Sequence, residues 1–257
     1  MLRLLSGAGL ACVLFATAVH GQTGSPAPPA AVERLGSPSR PPDARGRRVL
    51  AEARGQPGLK ILVSTEDRWL WLVRGRDTLV SVPVAVGMGK SFEYEGKRFW
   101  FETPRGRRRV LKKEPNPVWN VPEWHYLERA VSRGYGVEVM DSTTKYMLSD
   151  GSFIVTMGGQ VGRLNQLGNF WPFTPGLEIM FDDKVFIPPP GTPQRLVPDA
   201  LGPYKLDTGE GYLIHGTHVY NQESVGEAVS HGCVRVRNPD LELLYQHVPV
   251  GTPVFIF

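Results

Sequence analysis

The chain of 257 residues can hold one large domain or two small ones, and its 41% apolar content is enough for an ordinary packed core. A formal charge of +4 comes with no zinc-finger spacing, RNA-binding signature or long basic helix, which argues against nucleic acid as a partner. The mild basic balance suits an anionic surface but does not require one.

Met1-Leu2-Arg3 and the apolar run from Leu4 to Val19 read as a secretory signal occupying residues 1–21. Cleavage fits either Ala16-Thr17-Ala18 or a point near Gly21-Gln22. The run is shorter than the roughly 20 residues a spanning helix needs and contains Gly7 and Gly9, so no transmembrane segment is expected after cleavage. Gly9 also stands where a lipid-modified Cys12 would have a branched apolar residue. If Cys12 leaves with the signal, Cys233 remains alone, and a lone cysteine in an exported chain suggests a reactive thiol or an intermolecular bridge.

Residues 22–58 shift to Pro, Gly, Ser, Ala and Arg, as in Ser25-Pro26-Ala27-Pro28-Pro29, and predict a disordered or extended tether. The folded part is expected to run from 59 to 257. Ile61–Val63, Trp69–Val73 and Thr78–Val86 read as short strands, with a hairpin turn at Arg74-Gly75-Arg76-Asp77. Phe99–Phe101 and Val110-Leu111 continue that pattern, and the core is predicted to be mainly β. The stretch 123–200 reads as an inserted subdomain or lid with a short helix near Trp124–Ser132. Pro203–Leu206 and Gly211–His215 restore the strand pattern. A helix follows, with Asn238 as its cap, Pro239 and Asp240 in its first turn, and Leu241, Leu243 and Leu244 as its apolar face. Val254–Phe257 is the closing strand.

The chemistry concentrates near the C-terminus. A thiol becomes a good nucleophile when a neighbour lowers its pKa or takes its proton, and histidine does both. Were Ser230–Val236 extended, His231 and Cys233 would point the same way, and Gly232 would leave room for a substrate carbonyl. The N–H groups of Gly232 and Cys233 would then face the developing oxyanion. His215, at the end of an apolar strand, reaches Cys233 from a neighbouring strand, and either histidine suits the base. A zinc set of His215, His218, His231 and Cys233 has suitable ligand atoms but matches no strong zinc spacing. His125 and His247 are assigned structural or surface roles.

Ile214-His215-Gly216-Thr217 through Ser230-His231-Gly232-Cys233-Val234-Arg235, with Asn238 and Asp240 beyond, resembles the signature of the L,D-transpeptidase (YkuD-type) catalytic domain. Thr103-Pro104-Arg105-Gly106, Leu201-Gly202 and Val248–Pro253 extend the resemblance across 59–257 apart from the middle insertion. It implies a β-sandwich or barrel-like core with a few short helices, Cys233 as nucleophile and His215 as proton acceptor and donor. It further implies that the Gly216 carbonyl orients His215, that His231 and Gly232 shape the oxyanion site, and that Arg235 supports the loop or the substrate. Thr217, Ser230 and Tyr212 join Arg235 as expected substrate contacts. The implied substrate is a peptidoglycan stem peptide, converted through a Cys233 thioester into a 3→3 cross-link, in the periplasm or envelope of a bacterium.

Hydrolysis of the same thioester, giving an L,D-carboxypeptidase, and a non-catalytic wall-binding module are the alternatives. No metal or cofactor is expected. His218 departs from the family's usual polar residue, and the insertion is longer than a minimal domain needs. The run Arg105, Arg107, Arg108, Arg109, Lys112 and Lys113 reads as a solvated strand face, with attraction to acidic wall components as the other possibility. Trp69, Trp71, Trp100, Trp119, Trp124 and Trp171 are assigned mostly to core packing, with a sugar-stacking surface as the alternative.

Overall fold

A computed structural model describes residues 43–257. The expected signal segment 1–21 and residues 22–42 of the expected tether lie outside the described residues. The end of that tether is folded. Helix α1 (Ala44–Gly55) begins at Asp43, whose carboxylate accepts the Gly46 N–H at 2.7 Å. Val49 and Ala53, one turn apart, are buried against Trp71, Val73, Phe255 and Phe257. Pro-rich sequence nearby hides this helix, yet Ala44–Gly55 itself contains no proline and is rich in Ala, Arg, Leu and Glu, which favour helix.

Five strands form the first sheet, in the order β3 (Asp77–Pro83), β2 (Trp69–Arg74), β1 (Leu59–Ser64), β22 (Pro253–Ile256) and β7 (Gly106–Arg109). The turn at Arg74–Asp77 joins β2 to β3 as expected, with Gly75 at a φ of 60°. The closing strand β22 lies inside the sheet, parallel to β1 and antiparallel to β7. The expected strand Thr78–Val86 is cut at Pro83, which has no N–H to extend a ladder. Val86–Gly87 is a separate strand, β4, parallel to β20 (Ala228–Ser230).

A second sheet runs β21 (Val234–Arg235), β19 (Leu213–His215), β18 (Tyr204–Asp207) and β8 (Lys112–Pro115). Val110-Leu111, expected within a strand, is instead the crossing between sheets. The Val110 N–H bonds to Thr252 beside β22, whereas the Leu111 N–H bonds to Asp207 of β18. The two sheets share one core, in which Ile61, Leu70, Leu72 and Val254 meet Leu206, Ile214 and Val234. Helix α3 (Asn238–His247) adds Leu241 and Leu244 to that core, but Leu243 is 46% exposed and is not part of the buried face. The N-cap position is Arg237 rather than Asn238, whose side chain turns elsewhere.

Residues 123–200 contribute a helix and two small sheets. Helix α2 (Glu123–Arg133) ends at Gly134 in the left-handed conformation. Strands β10 (Gly136–Val139), β16 (Lys184–Ile187) and β15 (Ile179–Phe181) form one sheet, and β11 (Lys145–Met147), β12 (Phe153–Met157), β13 (Gln160–Leu164) and β14 (Phe170–Pro172) form another. Buried Met140, Leu148, Ile154, Val161, Ile179 and Phe186 supply a core of their own. At its base β9 (Trp119–Asn120) pairs with β17 (Leu196–Val197), joining the chain as it enters and leaves. A hairpin of β5 (Lys90–Tyr94) and β6 (Lys97–Phe101) packs Phe92 and Phe99 against the same region.

Candidate active site

Cys233 lies between β20 and β21, and His215 ends β19. Strands β19 and β21 are parallel, with Ile214 opposite Val234 and His215 opposite Arg235. Ile214 and Val234 point into the core, so alternation puts His215 and Arg235 on the opposite face, with Cys233 immediately preceding β21. Reciprocal hydrogen bonds of 2.9 Å between Ala85 and Arg235 fix the far side of β21. Thr103 accepts the Gly87 N–H at 2.8 Å, and the Met88 N–H reaches the Ser230 carbonyl at 2.9 Å, which anchors the end of β20.

The Cys233 segment is bent rather than extended. Gly232 has a φ of 128°, and a Cβ there would lie 2.9 Å from the Tyr212 ring and 3.0 Å from the Glu102 carbonyl. Ser230 Oγ donates to the Cys233 carbonyl at 2.6 Å and accepts the Gly232 N–H at 3.1 Å. The Gly232 N–H, expected to face an oxyanion, donates to Ser230 in this structure. Cys233 is half-buried, with Sγ 3.9 Å from the Gly211 carbonyl. Burial pushes the thiol pKa up, against the opposing influence of a Leu213 backbone hydrogen bond and the Arg235 charge.

His215 is buried, and its Nδ1 lies 2.5 Å from the Gly216 carbonyl oxygen. A carbonyl only accepts, so Nδ1 carries the hydrogen and Nε2 is the basic nitrogen of the neutral ring. Burial, followed by the Arg235 charge, lowers the ring's pKa to about 4 despite the raising influence of the Gly216 and Leu201 carbonyls. At neutral pH both thiol and imidazole are thus uncharged at rest.

The loop after His215 is clamped by Asn238, whose Oδ1 accepts the Thr217 N–H and whose Nδ2 donates to the Thr217 carbonyl, each at 3.0 Å. The carboxamide fits between two glycines. A Cβ on Gly202 would lie 2.6 Å from Asn238 Oδ1, and one on Gly216 2.4 Å from it. Gln222 reinforces the clamp, donating to the Thr217 carbonyl and accepting the Asn238 N–H, both at 3.0 Å. Helix capping by Asn238 is in this way replaced by loop bracing.

His231 does not turn toward His215. Its Nε2 lies 3.0 Å from Glu128 of α2, its ring stacks on Trp124 at 4.3 Å, and Phe101 meets it edge-on at 4.4 Å. Burial lowers its pKa, with Glu128 pulling the other way. Thr217 and Ser230, expected substrate contacts, are only 2% and 1% exposed with internally satisfied polar groups, and they brace the two loops. Arg235 is half-buried and has no carboxylate partner among the described residues, and burial lowers its pKa. Tyr212 is partly exposed, with the Arg108 guanidinium 4.7 Å over its ring.

His218 is exposed and accepts the Tyr220 N–H at 3.4 Å at the start of a short 3-10 turn. The four-residue zinc set is not assembled: among the described residues no three His, Cys, Asp or Glu side chains converge. His125 packs against Trp119 and Trp124. Much of the basic run is answered by acidic partners, with Arg105 on Asp43 at 2.6 Å, Arg107 on Glu52 at 3.1 Å and Arg108 on Glu210 at 2.9 Å. Glu128 and Trp124 were not among the expected site residues. Their one signal in sequence is a spacing of four on a helix, which puts both on one face.

The chain matches the family model of the L,D-transpeptidase catalytic domain over residues 59–256. It is 50% identical over 54 residues to Probable L,D-transpeptidase YbiS of Escherichia coli (strain K12), a match covering 21% of this chain and 17% of that protein. It is 29% identical over 153 residues to Probable L,D-transpeptidase ErfK/SrfK of the same strain, covering 53% of this chain and 47% of that one. Among solved structures it is similar to the L,D-transpeptidase (residues 123-326) from Xylanimonas cellulosilytica, with a TM-score of 0.40, 16% identity, and 79% and 61% of the two chains covered. The chain thus spans less than two thirds of the length of each of these relatives. With the family match extending over most of its length, the chain belongs to the L,D-transpeptidase catalytic-domain family.

Proposed function

We propose that this protein is an exported cysteine acyltransferase that cross-links peptidoglycan stem peptides through a Cys233 thioester. What supports the proposal is the position of Cys233 immediately before β21, the strand paired in parallel with the one that ends in His215, a histidine whose tautomer is set by the Gly216 carbonyl. Because thiol and imidazole rest uncharged, proton transfer from Sγ to Nε2 of His215 accompanies attack on the carbonyl carbon of the stem's third residue.

As the S–C bond forms, the carbonyl oxygen gains negative charge. With the Gly232 N–H held by Ser230, the Cys233 N–H is the donor assigned to that oxygen. Collapse of the tetrahedral intermediate breaks the C–N bond, and His215 returns its proton to the departing D-alanine amine. An amine from a second stem then attacks the thioester, His215 takes its proton, and the S–C bond breaks to restore the thiol. Arg235, a cation without a carboxylate partner among the described residues, is suited to a carboxylate of the stem peptide.

Incubating purified protein with disaccharide tetrapeptide and following products by mass spectrometry tests this reading. The expected result is 3→3 dimers and an acyl adduct on Cys233, both absent in Cys233→Ala. Tripeptide without dimer would make water the acceptor and the protein a carboxypeptidase. Neither product nor adduct, with a carbapenem also failing to label Cys233, would overturn the cysteine mechanism.

A further inference from the structure

We propose that the 123–200 region carries a second binding site, a cleft for an uncharged chain of N-acetylated hexosamines. The cleft lies between β13 and β14 on one side and Phe181 on the other, with a volume of about 640 Å³, within the range of small-ligand sites. Trp171 forms part of its wall and is 53% exposed, in contrast to the buried Trp71. An indole open to solvent within a concave site is a flat apolar platform with a polar edge.

The polar groups narrow the ligand class. Arg163 is directly opposite Trp171 in the β13–β14 register, but its charge is answered by Asp150, its Nε donates to Ser152 at 2.8 Å, and its guanidinium lies 5.6 Å from the Phe181 ring centre. The paired charges argue against phosphate or a free carboxylate as the occupant. The remaining hydrogen-bonding side chains are two carboxamides and the Trp171 indole N–H. Asn165 spends its Oδ1 on the Leu167 and Asn169 N–H groups at 3.0 and 2.9 Å, which leaves Nδ2 as a donor. Gln166 directs Nε2 to the Gly151 carbonyl at 3.4 Å, which leaves Oε1 as an acceptor. An apolar platform flanked by a neutral donor and a neutral acceptor matches a pyranose, whose C–H face stacks while its hydroxyl and acetamido groups exchange hydrogen bonds. That this sugar chain is the glycan of the acyl substrate rests on the function proposed above; the cleft's affinity for sugar does not.

Two measurements on the full chain separate those statements. Calorimetric titration with the β-1,4-linked tetramer of N-acetylglucosamine is expected to show saturable binding, weakened roughly tenfold by Trp171→Ala and largely kept by Trp171→Phe. No saturable binding, or binding indifferent to Trp171→Ala in a variant of unchanged circular dichroism, overturns the sugar site. In the second, KM is expected to be lower for disaccharide tetrapeptide than for free tetrapeptide, and Trp171→Ala should erase the difference. Equal KM values in the unmodified protein overturn the link to the acyl substrate. Turnover of neither peptide refutes the acyltransferase reading alone, because the titration still decides the cleft.

Discussion

The loops that carry Cys233 and His215 are held in different ways. The His215 loop is braced from within the sandwich, by Asn238 and Gln222 and by two glycines that admit the Asn238 carboxamide. The Cys233 loop has one internal brace, Ser230, and a second contributed by the 123–200 region, where Glu128 and Trp124 grip His231. The proposed base is therefore braced by its own sheet and the helix that follows, whereas the loop of the proposed nucleophile also leans on helix α2 of the 123–200 region. A region with its own hydrophobic core can in this way influence the thiol without contributing a reacting group.

Substitutions in the two braces should separate these contributions, and the His215 side should give the larger effects. Unfolded, the His215 ring titrates near 6.5, and in the folded protein near 4. Between these values the unfolded chain binds more protons, so stability falls as pH is lowered through the window. The His215 contribution is fully present above pH 6.5 and reaches about 3 kcal/mol. Denaturant melts at pH 7 and pH 4 should differ by roughly that much more in the unmodified protein than in His215→Gln. The acid limb of kcat/KM should also lie near pH 4, well below that of an ordinary histidine.

Asn238→Ala removes both Thr217 hydrogen bonds and frees the Gly216 carbonyl that orients His215. Turnover should fall about 100-fold, as expected for misplacement by an ångström, with a smaller change in KM. Asn238→Asp keeps the acceptor for the Thr217 N–H but loses the donor, and should fall between the two. An equal loss in both variants would shift the weight to packing in the glycine cradle. In the other loop, Ser230→Ala leaves the Gly232 N–H and the Cys233 carbonyl without their partner and should cost about 1–3 kcal/mol in chemical denaturation. No loss of stability there would mean that water replaces the hydroxyl.

The sandwich strands were legible because β-branched and aromatic runs separated by Gly and Asp keep their meaning in any sheet, and the residues around His215 and Cys233 stand close in sequence. What escaped depends on distant partners. Val110-Leu111 has the composition of a strand, but its place is decided by where the chain changes sheets. Thr217 and Ser230 look like substrate contacts because they are polar residues inside a catalytic motif, yet the Thr217 hydroxyl accepts from Asn221 of the following 3-10 turn, and the Ser230 hydroxyl is taken by the Cys233 carbonyl and Gly232 N–H of its own loop. The sequence suggests room at Gly232 for a substrate carbonyl, and what the missing Cβ admits in the structure is the Tyr212 ring and the Glu102 carbonyl, both distant in sequence. Glu128 stands 103 residues before His231, and no local pattern connects them.

The weakest expected effect tests that long-range contact. Glu128→Gln keeps the shape of the side chain and can keep a hydrogen bond to His231, but it removes the negative charge that holds the His231 pKa up against burial. His231 should then titrate at lower pH, which nuclear magnetic resonance of its ring protons would follow directly. Turnover should fall only a few-fold, since Gln can keep a hydrogen bond to the ring and such a bond contributes about 1 kcal/mol. Trp124→Ala removes the stacking surface as well and should cost more than Glu128→Gln, with Trp124→Phe recovering part of the loss. If turnover in all three variants matched the unmodified protein while the His231 resonance still moved, the 123–200 region would touch the Cys233 loop without governing it. A turnover loss that follows the His231 shift across the series would instead make α2 a lever on the nucleophile, acting through the one histidine of the motif that faces away from the core.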